Sequence, residues 1–97
     1  MSTATSAAYA WEPDAALSRA SNAAQFMRVL GVERWEDLVR CGDEEPERFH
    51  RALLDHFGFR FFRPYTAVLD ESRGPAWARW CVGGTTNVVL NALDRWR

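Results

Sequence analysis

Apolar residues recur every three or four positions as far as Gly58, which is the spacing of one helix face. Ser21 is a favourable N-cap and Gly31 a left-handed stop, so a helix is predicted between them. The same spacing predicts a shorter helix that contains Trp35 and ends at Gly42. The apolar stripes of these two helices are Ala23, Phe26, Met27 and Leu30, and then Trp35, Leu38 and Val39.

Proline residues mark the starts of two further helices. Pro13 suits the first turn of a helix that runs to about Arg19, because that turn tolerates a missing N–H. Pro46, inside the acidic run Asp43–Glu47, opens another helix, whose positive end the carboxylates complement. Gly58 closes that helix. Its predicted buried face is Phe49, Ala52, Leu53, His56 and Phe57.

The pattern changes after Gly58. Phe59–Arg63 is short and aromatic, and Pro64 limits it to an edge strand or an extended segment. More extended chain is predicted at Tyr65–Leu69, followed by a loop at Asp70–Pro75. After a break at Gly83 and Gly84, a last helix is predicted from Asn87 to Trp96, with Val89, Ala92, Leu93 and Trp96 on one face.

Together these elements predict a mainly α fold of four to five short helices with a brief extended aromatic segment, and a small α+β arrangement is compatible with the same pattern. A chain of 97 residues and 11.1 kDa allows one domain. That domain is assigned to residues 11–97. Residues 1–10 are small and polar and are predicted to form a flexible tail.

Composition narrows the class of protein. Apolar residues make up 47% of the chain, too many for a disordered segment. The net charge of −1 provides no field that would attract nucleic acid or an anionic membrane, and no apolar run is long enough to span a bilayer. All 12 basic residues are arginine, so these residues hold no lysine for a phosphate loop, a Schiff base or a general base. We expect a cytoplasmic protein, since the N-terminus does not resemble a secretory signal.

The histidines and cysteines favour structural roles over metal binding or nucleophilic catalysis. His50 and His56 lie about 240° apart around a helix, so they cannot bind one metal ion from one face. Cys41 is predicted at a helix C-terminus, which makes it a poor nucleophile, and Cys81 follows a tryptophan. Their spacing matches neither a zinc site nor a redox pair and fits reduced thiols.

Three further patterns have a functional and a structural interpretation. The segment Gly83–Thr86 precedes a helix and resembles a phosphate loop, but it lacks the lysine and the glycine spacing, so a tight turn that delivers Asn87 as a helix cap is the better interpretation. The acidic run Asp43–Glu47 is explained by the helix dipole. Arginines lie among aromatic residues and could stack on nucleobases, but cation–π packing within the protein explains them equally. These arginines are Arg60, Arg63, Arg73 and Arg79.

Three of the five tryptophans fall in the last part of the chain. A small domain has little interior to hide Trp77, Trp80 and Trp96. Large aromatic residues gathered near one terminus suggest a surface that another protein or domain covers. The alternative is that all three fold into the core of this chain.

The order of these features resembles the N-terminal domain of acetyl-CoA synthetase-type, AMP-forming acyl-CoA ligases. The final block, from Trp80 to Arg95, is the most specific part, and the upstream matches support it by their order. The matching features are Trp11 and Pro13; the helix Ala23–Leu30; Pro46-Glu47-x-Phe49; His56-Phe57-Gly58; Arg63-Pro64-Tyr65; Val68-Leu69-Asp70; and Trp80-x-x-Gly83-Gly84-x-x-Asn87-x-x-x-Asn91-x-Leu93-Asp94-Arg95.

The resemblance implies a parent enzyme that activates a short carboxylic acid with ATP and Mg²⁺ and transfers the acyl group to CoA. It implies no catalytic, cofactor-binding or metal-binding residue in this segment, which we expect to be inactive alone. The implied partner is the family's large adenylating domain, with no nucleic acid and no membrane. We expect the docking residues to be Trp77, Trp80, Asn87, Asn91, Leu93, Asp94, Arg95 and Trp96.

This sequence departs from the family at His50, Cys81 and Trp96, where tryptophan, an aromatic residue and histidine are respectively common. The departures suggest a divergent branch, so propionyl or acetoacetyl substrates are as compatible as acetyl. Two other hypotheses use the same residues. One is a free-standing adaptor that binds a partner through the aromatic surface. The other is CoA or nucleotide binding by Gly83, Gly84 and Arg79.

Overall fold

The computed structural model describes residues 9–97, so most of the predicted tail lies outside the described residues. It confirms a mainly α domain with a small two-stranded antiparallel sheet. Within this range no helix is long and apolar enough to cross a bilayer. In chain order the elements are α1 (Ala15–Ala20), α2 (Asn22–Leu30), α3 (Trp35–Glu44), α4 (Pro46–His56), β1 (Ala67–Asp70), a 3₁₀ turn (Pro75–Trp77), β2 (Arg79–Val82), α5 (Val88–Ala92) and a second 3₁₀ turn (Asp94–Trp96).

The helix boundaries follow local caps. Asp14 accepts a hydrogen bond from the Leu17 amide at 2.8 Å, and Ser21 accepts one from the Ala24 amide at 3.1 Å. Gly31 ends α2 in the left-handed region with φ of +73°. These caps place α2 where the sequence predicts it. The predicted start of the first helix is wrong, because Asp14 is the N-cap and α1 begins at Ala15, so Pro13 lies before the helix instead of in its first turn.

The core lies between α2, α3 and α4. Phe26 meets Phe49 edge to face with 5.3 Å between ring centroids, and burying such rings is a main source of folding free energy in a small domain. The buried members of this core are Phe26, Leu30, Leu38 and Cys41, and the side chains packed against them are Met27, Val32, Phe49, Ala52 and Leu53.

The prediction for α3 is wrong in two respects. The helix continues through Gly42 to Glu44, because Gly42 keeps a helical backbone. A methyl group on Gly42 would lie 3.6 Å from the Phe49 ring, which packs beside it. Trp35 and Val39 are exposed, since the buried edge of α3 runs through Leu38 and Cys41 instead.

The extended region forms a hairpin against α4. β1 and β2 pair antiparallel, with Leu69 opposite Trp80, and Val68 is fully buried. Phe59–Arg63 stays extended without becoming a strand. Its pairing is an isolated bridge between Arg63 and Thr85, because Pro64 removes the next donor.

The predicted last helix is shorter than expected. Asn87 caps it, accepting from the Leu90 amide at 2.7 Å, as predicted. The α-helix ends at Ala92, however, and Leu93 (φ −124°, ψ −60°) breaks it before the 3₁₀ turn. The predicted apolar face is mostly exposed, and a short helix without a buried face gains little from lengthening.

Candidate docking surface

A groove of about 910 Å³ separates the C-terminal end of α4 from α5 and the terminal 3₁₀ turn. The lining comes from α2, from the end of α4 and the residues that follow it, and from α5 and its flanking residues. Five apolar side chains lie among seven polar ones, and aromatic residues mixed with polar ones are typical of protein-binding surfaces. The apolar lining residues are Phe57, Phe59, Val88, Ala92 and Trp96.

Apolar side chains of the C-terminal segment are strongly exposed. Val88 is 80% exposed, Leu93 65% and Trp96 70%. An isolated exposed apolar side chain is ordinary, but three within nine consecutive positions, two of which line the groove, form a candidate contact surface. We call Val88, Leu93 and Trp96 the apolar ridge.

Polar side chains of the same segment are already hydrogen-bonded within the chain. Asn91 accepts from the Arg60 amide through Oδ1 at 2.7 Å and donates from Nδ2 to the Arg60 carbonyl at 3.0 Å. The Thr86 hydroxyl donates to the same carbonyl at 2.7 Å and accepts from Asn91 Nδ2 at 2.9 Å. Two hydrogen bonds between the Asn91 side-chain amide and the Arg60 backbone therefore hold α5 to the extended segment.

Arg95 completes this attachment at the end of α4. Gly58 (φ +62°) and Phe59 close α4 by donating to Asp55 and Leu54, the pattern of a Schellman motif. Arg95 then donates from Nη2 to the Phe57 carbonyl at 2.6 Å and from Nη1 to the Gly58 carbonyl at 2.9 Å. The guanidinium also complements the negative end of α4.

The same guanidinium lies 4.4 Å from the ring centroid of Trp96, within cation–π range. Arg95 is half-buried, whereas its neighbour Asp94 is exposed. Arg95 therefore contacts both the backbone that follows α4 and the exposed indole of Trp96 in the groove.

The two hairpin tryptophans lie apart from this groove. The Trp80 ring packs on the His50 ring at 4.6 Å between centroids and remains about half exposed. Trp77 is exposed, with the Arg73 guanidinium 6.0 Å from its ring. Trp96 lines the groove with Phe57 and Val88 instead, so the three late tryptophans do not form one cluster within residues 9–97.

The histidines and cysteines have structural surroundings. Nδ1 of His50 lies 2.8 Å from the Pro46 carbonyl, and His56 packs against Phe26. Cys41 is buried in the core and Cys81 is half-buried; neither forms a disulfide. Across the described part of the chain, no group of three His, Cys, Asp or Glu side chains comes close enough to hold a metal ion.

The Gly83–Gly84 turn is filled by the protein itself. Gly84 donates its amide to the Cys81 carbonyl at 3.0 Å, and Thr85 donates to the Arg63 carbonyl at 3.1 Å. A Cβ built on Gly84 would lie 3.2 Å from atoms of Cys81, Phe61 and Tyr65. Since these amides already have partners, the geometry favours the tight turn over an anion site.

Asp70, where the hairpin loop begins, is the acidic group with an altered proton affinity. Hydrogen bonds from Ser72, including its amide at 2.9 Å, hold the pKa of the Asp70 carboxyl below its ordinary value. Arg79, 4.0 Å away, adds a weaker effect in the same direction, and desolvation opposes both. This is a solvated turn rather than a catalytic carboxylate.

Comparison with known proteins gives the chain a family. The family model described as the acetyl-coenzyme A synthetase N-terminus matches residues 35–92. A propionate–CoA ligase of Salmonella typhimurium is 49% identical over 53 residues, covering 55% of this chain and 8% of the ligase. No solved structure matches.

Two acetyl-coenzyme A synthetases match over more of the chain. That of Wolinella succinogenes is 35% identical over 72 residues, 74% of this chain and 11% of the enzyme. That of Burkholderia lata is 32% identical over 83 residues, 86% of this chain and 11% of the enzyme. The chain thus spans only about a tenth of the length of the curated relatives it matches, and it belongs to the acetyl-coenzyme A synthetase N-terminus family.

Proposed function

We propose that this chain is the docking domain at the N-terminus of an AMP-forming short-chain acyl-CoA synthetase and has no catalytic role of its own. The observation that carries the proposal is the exposed apolar ridge of Val88, Leu93 and Trp96 beside the groove. The segment that carries this ridge is held to Arg60 and to the end of α4 by the side chains of Asn91 and Arg95. Such a segment suits a surface that a larger domain completes.

The proposed partner is the large adenylating domain of the same enzyme. An aromatic or aliphatic side chain that is fully removed from water contributes about 1.5–3 kcal/mol, so covering the ridge and the groove would stabilise the assembly substantially. The hairpin tryptophans Trp77 and Trp80 offer a second contact on another part of the surface. Asn87, Asn91, Asp94 and Arg95 would support docking from within this chain or at the edge of the interface.

For the parent enzyme we propose the reaction that the family resemblance implies. A carboxylate oxygen of the substrate attacks the α-phosphorus of Mg²⁺-bound ATP, forming an acyl-adenylate and releasing pyrophosphate. The CoA thiol then attacks the acyl carbon, forming a thioester and releasing AMP. Acetate and propionate are both compatible with the names of the relatives. We place the enzyme in the cytoplasm, where ATP and CoA are available.

A chimera tests the docking role. The N-terminal region of the Salmonella typhimurium propionate–CoA ligase would be replaced by this chain, and propionyl-CoA formation and thermal stability would be measured. Val88→Asp places a carboxylate in the proposed contact, whereas Val39→Asp makes the same change on an exposed face of α3. We expect the Val88→Asp chimera to lose at least about tenfold in activity, because an unpaired charge in an apolar contact costs more than about 1.4 kcal/mol.

The Val39→Asp chimera should retain the activity and the melting temperature of the unmodified chimera. Equal behaviour of the two variants would contradict the docking proposal. That result would favour the alternative of a free-standing adaptor, in which the same exposed residues bind a different protein.

A further inference from the structure

We infer that Asn91 and Arg95 are positioning residues that clasp the backbone of residues 57–60 and thereby set Val88 and Trp96 as one wall of the groove. All the hydrogen bonds of this clasp lie within this chain, so the clasp itself does not depend on a partner. Its consequence for docking rests on the proposed function. Two of the eight residues predicted to face a partner would then act through their neighbours instead of by direct contact.

The side chain of Asn91 is matched to the backbone of Arg60. Its carbonyl oxygen accepts at 2.7 Å and its amide nitrogen donates at 3.0 Å, so it imitates the pairing of a neighbouring strand. This pairing requires a side chain of the length of asparagine that carries both a donor and an acceptor. Aspartate keeps the shape but replaces the donor with a negative oxygen that would face the Arg60 carbonyl.

The side chain of Arg95 donates to two backbone carbonyls, just after α4, that the Schellman bonds do not use. The Schellman bonds from Gly58 and Phe59 use the carbonyls of Asp55 and Leu54. The carbonyls of Phe57 and Gly58 remain, and the two forked nitrogens of Arg95 bind one each. A lysine has a single nitrogen at its tip and cannot occupy both positions in this geometry.

These polar bonds matter because the segment has little apolar attachment. α5 and the terminal 3₁₀ turn contain no buried residue. The clasp instead joins positions separated by 31 to 38 residues along the chain. Loss of the clasp should therefore release the C-terminal segment while the α2–α4 core, with its own apolar contacts, stays folded.

Amide hydrogen exchange of the whole chain, followed by NMR, tests the clasp. The variants are Asn91→Asp and Arg95→Met. Their matched controls are Asn22→Asp, which adds the same charge on the opposite rim of the groove, and Arg97→Met, which removes an exposed guanidinium. We expect the Arg60 amide to exchange at least about tenfold faster in both clasp variants, because either change would release the C-terminal segment and with it the side-chain acceptor at position 91 that protects this amide. The Trp96 indole signal, assigned with Trp96→Phe, should move towards that of a solvated indole.

The controls should match the wild-type chain, and Arg95→Lys should not restore Arg60 protection, because charge alone does not supply both bonds. Thr86→Val gives a second route if Asn91→Asp does not fold, since it removes one donor to the Arg60 carbonyl. Unchanged exchange at Arg60 in Arg95→Met and in either Asn91→Asp or Thr86→Val would overturn the clasp. Equal acceleration in the α2–α4 core would also overturn it.

Exchange at Arg60 in the isolated chain, compared with the activity of the Val88→Asp chimera, separates the clasp from the proposed function. If the clasp variants accelerate exchange of the Arg60 amide in the isolated chain but Val88→Asp leaves the chimera fully active, then the clasp is supported and the docking role is contradicted. If Val88→Asp inactivates the chimera while the Arg60 amide stays protected in the clasp variants, then docking is supported and the clasp is contradicted.

Discussion

Gly84 is the residue whose size the fold constrains most. A methyl group there would lie 3.2 Å from the Cys81 carbonyl oxygen, a backbone atom that cannot rotate away. It would meet Phe61 and Tyr65 at the same distance. We predict that Gly84→Ala destabilises the chain by about 1–3 kcal/mol, as overpacking usually does, measured as a lower midpoint of urea unfolding.

Gly42 is the matched opposite case. It lies inside α3, has no positive φ, and a methyl group there would meet only the Phe49 ring at an ordinary 3.6 Å. Alanine is more favourable than glycine inside a helix by about 0.5–1 kcal/mol. Gly42→Ala should therefore raise the unfolding midpoint. A lower midpoint would show that the Phe49 contact is tighter than its distance indicates.

At the scale of single residues, the sequence predicted what depends on close neighbours. Ser21 and Asn87 cap helices through amides three residues ahead, and Gly31 ends α2 by its own backbone conformation. Long arginine side chains were not predictable in this way. Arg48 donates to the Leu30 carbonyl at 2.8 Å from 18 positions away, and Arg95 reaches further still. No local pattern identifies such partners.

At the scale of elements, the hairpin loop contains a pH-sensitive turn. Hydrogen bonds from Ser72, and less strongly Arg79, lower the pKa of Asp70 below its ordinary value of 3.8. Ionised Asp70 therefore stabilises the folded loop above pH 3.8, and this contribution is lost as pH falls through the lower folded pKa. We predict that the Ser72 amide resonance moves across that range. In Asp70→Asn the resonance should stay constant, and an identical titration in that variant would refute the assignment.

The last helix differed from its prediction for a physical reason. The spacing of Val89, Ala92 and Leu93 is helical, but no neighbour in the described chain buries that face, so the α-helix ends early. Phe59–Arg63 was predicted as an edge strand or an extended segment, and it is extended, with pairing reduced to one bridge with Thr85. Sequence periodicity shows which face is apolar, whereas the partner that covers it decides whether an element persists.

At the scale of the whole molecule, the chain is more open than its length implies. The Cα radius of gyration is 17.5 Å, against about 13 Å for a compact domain of this size. Large apolar side chains are exposed on α1, α3, the hairpin and the C-terminal segment. Family membership was predictable because the block from Trp80 to Arg95 is specific. The groove was not, because its walls come from parts of the chain that are distant in sequence.

Hydroxyl-radical footprinting by mass spectrometry tests the docking claim most directly, because it reports the solvent exposure of each side chain. The free chain and the ligase chimera would be labelled side by side. The account predicts strong labelling of Val88, Leu93 and Trp96 in the free chain and clear protection in the chimera, with Val39 labelled equally in both. Equal labelling of the ridge in the two proteins, or protection of the ridge already in the free chain, would contradict it.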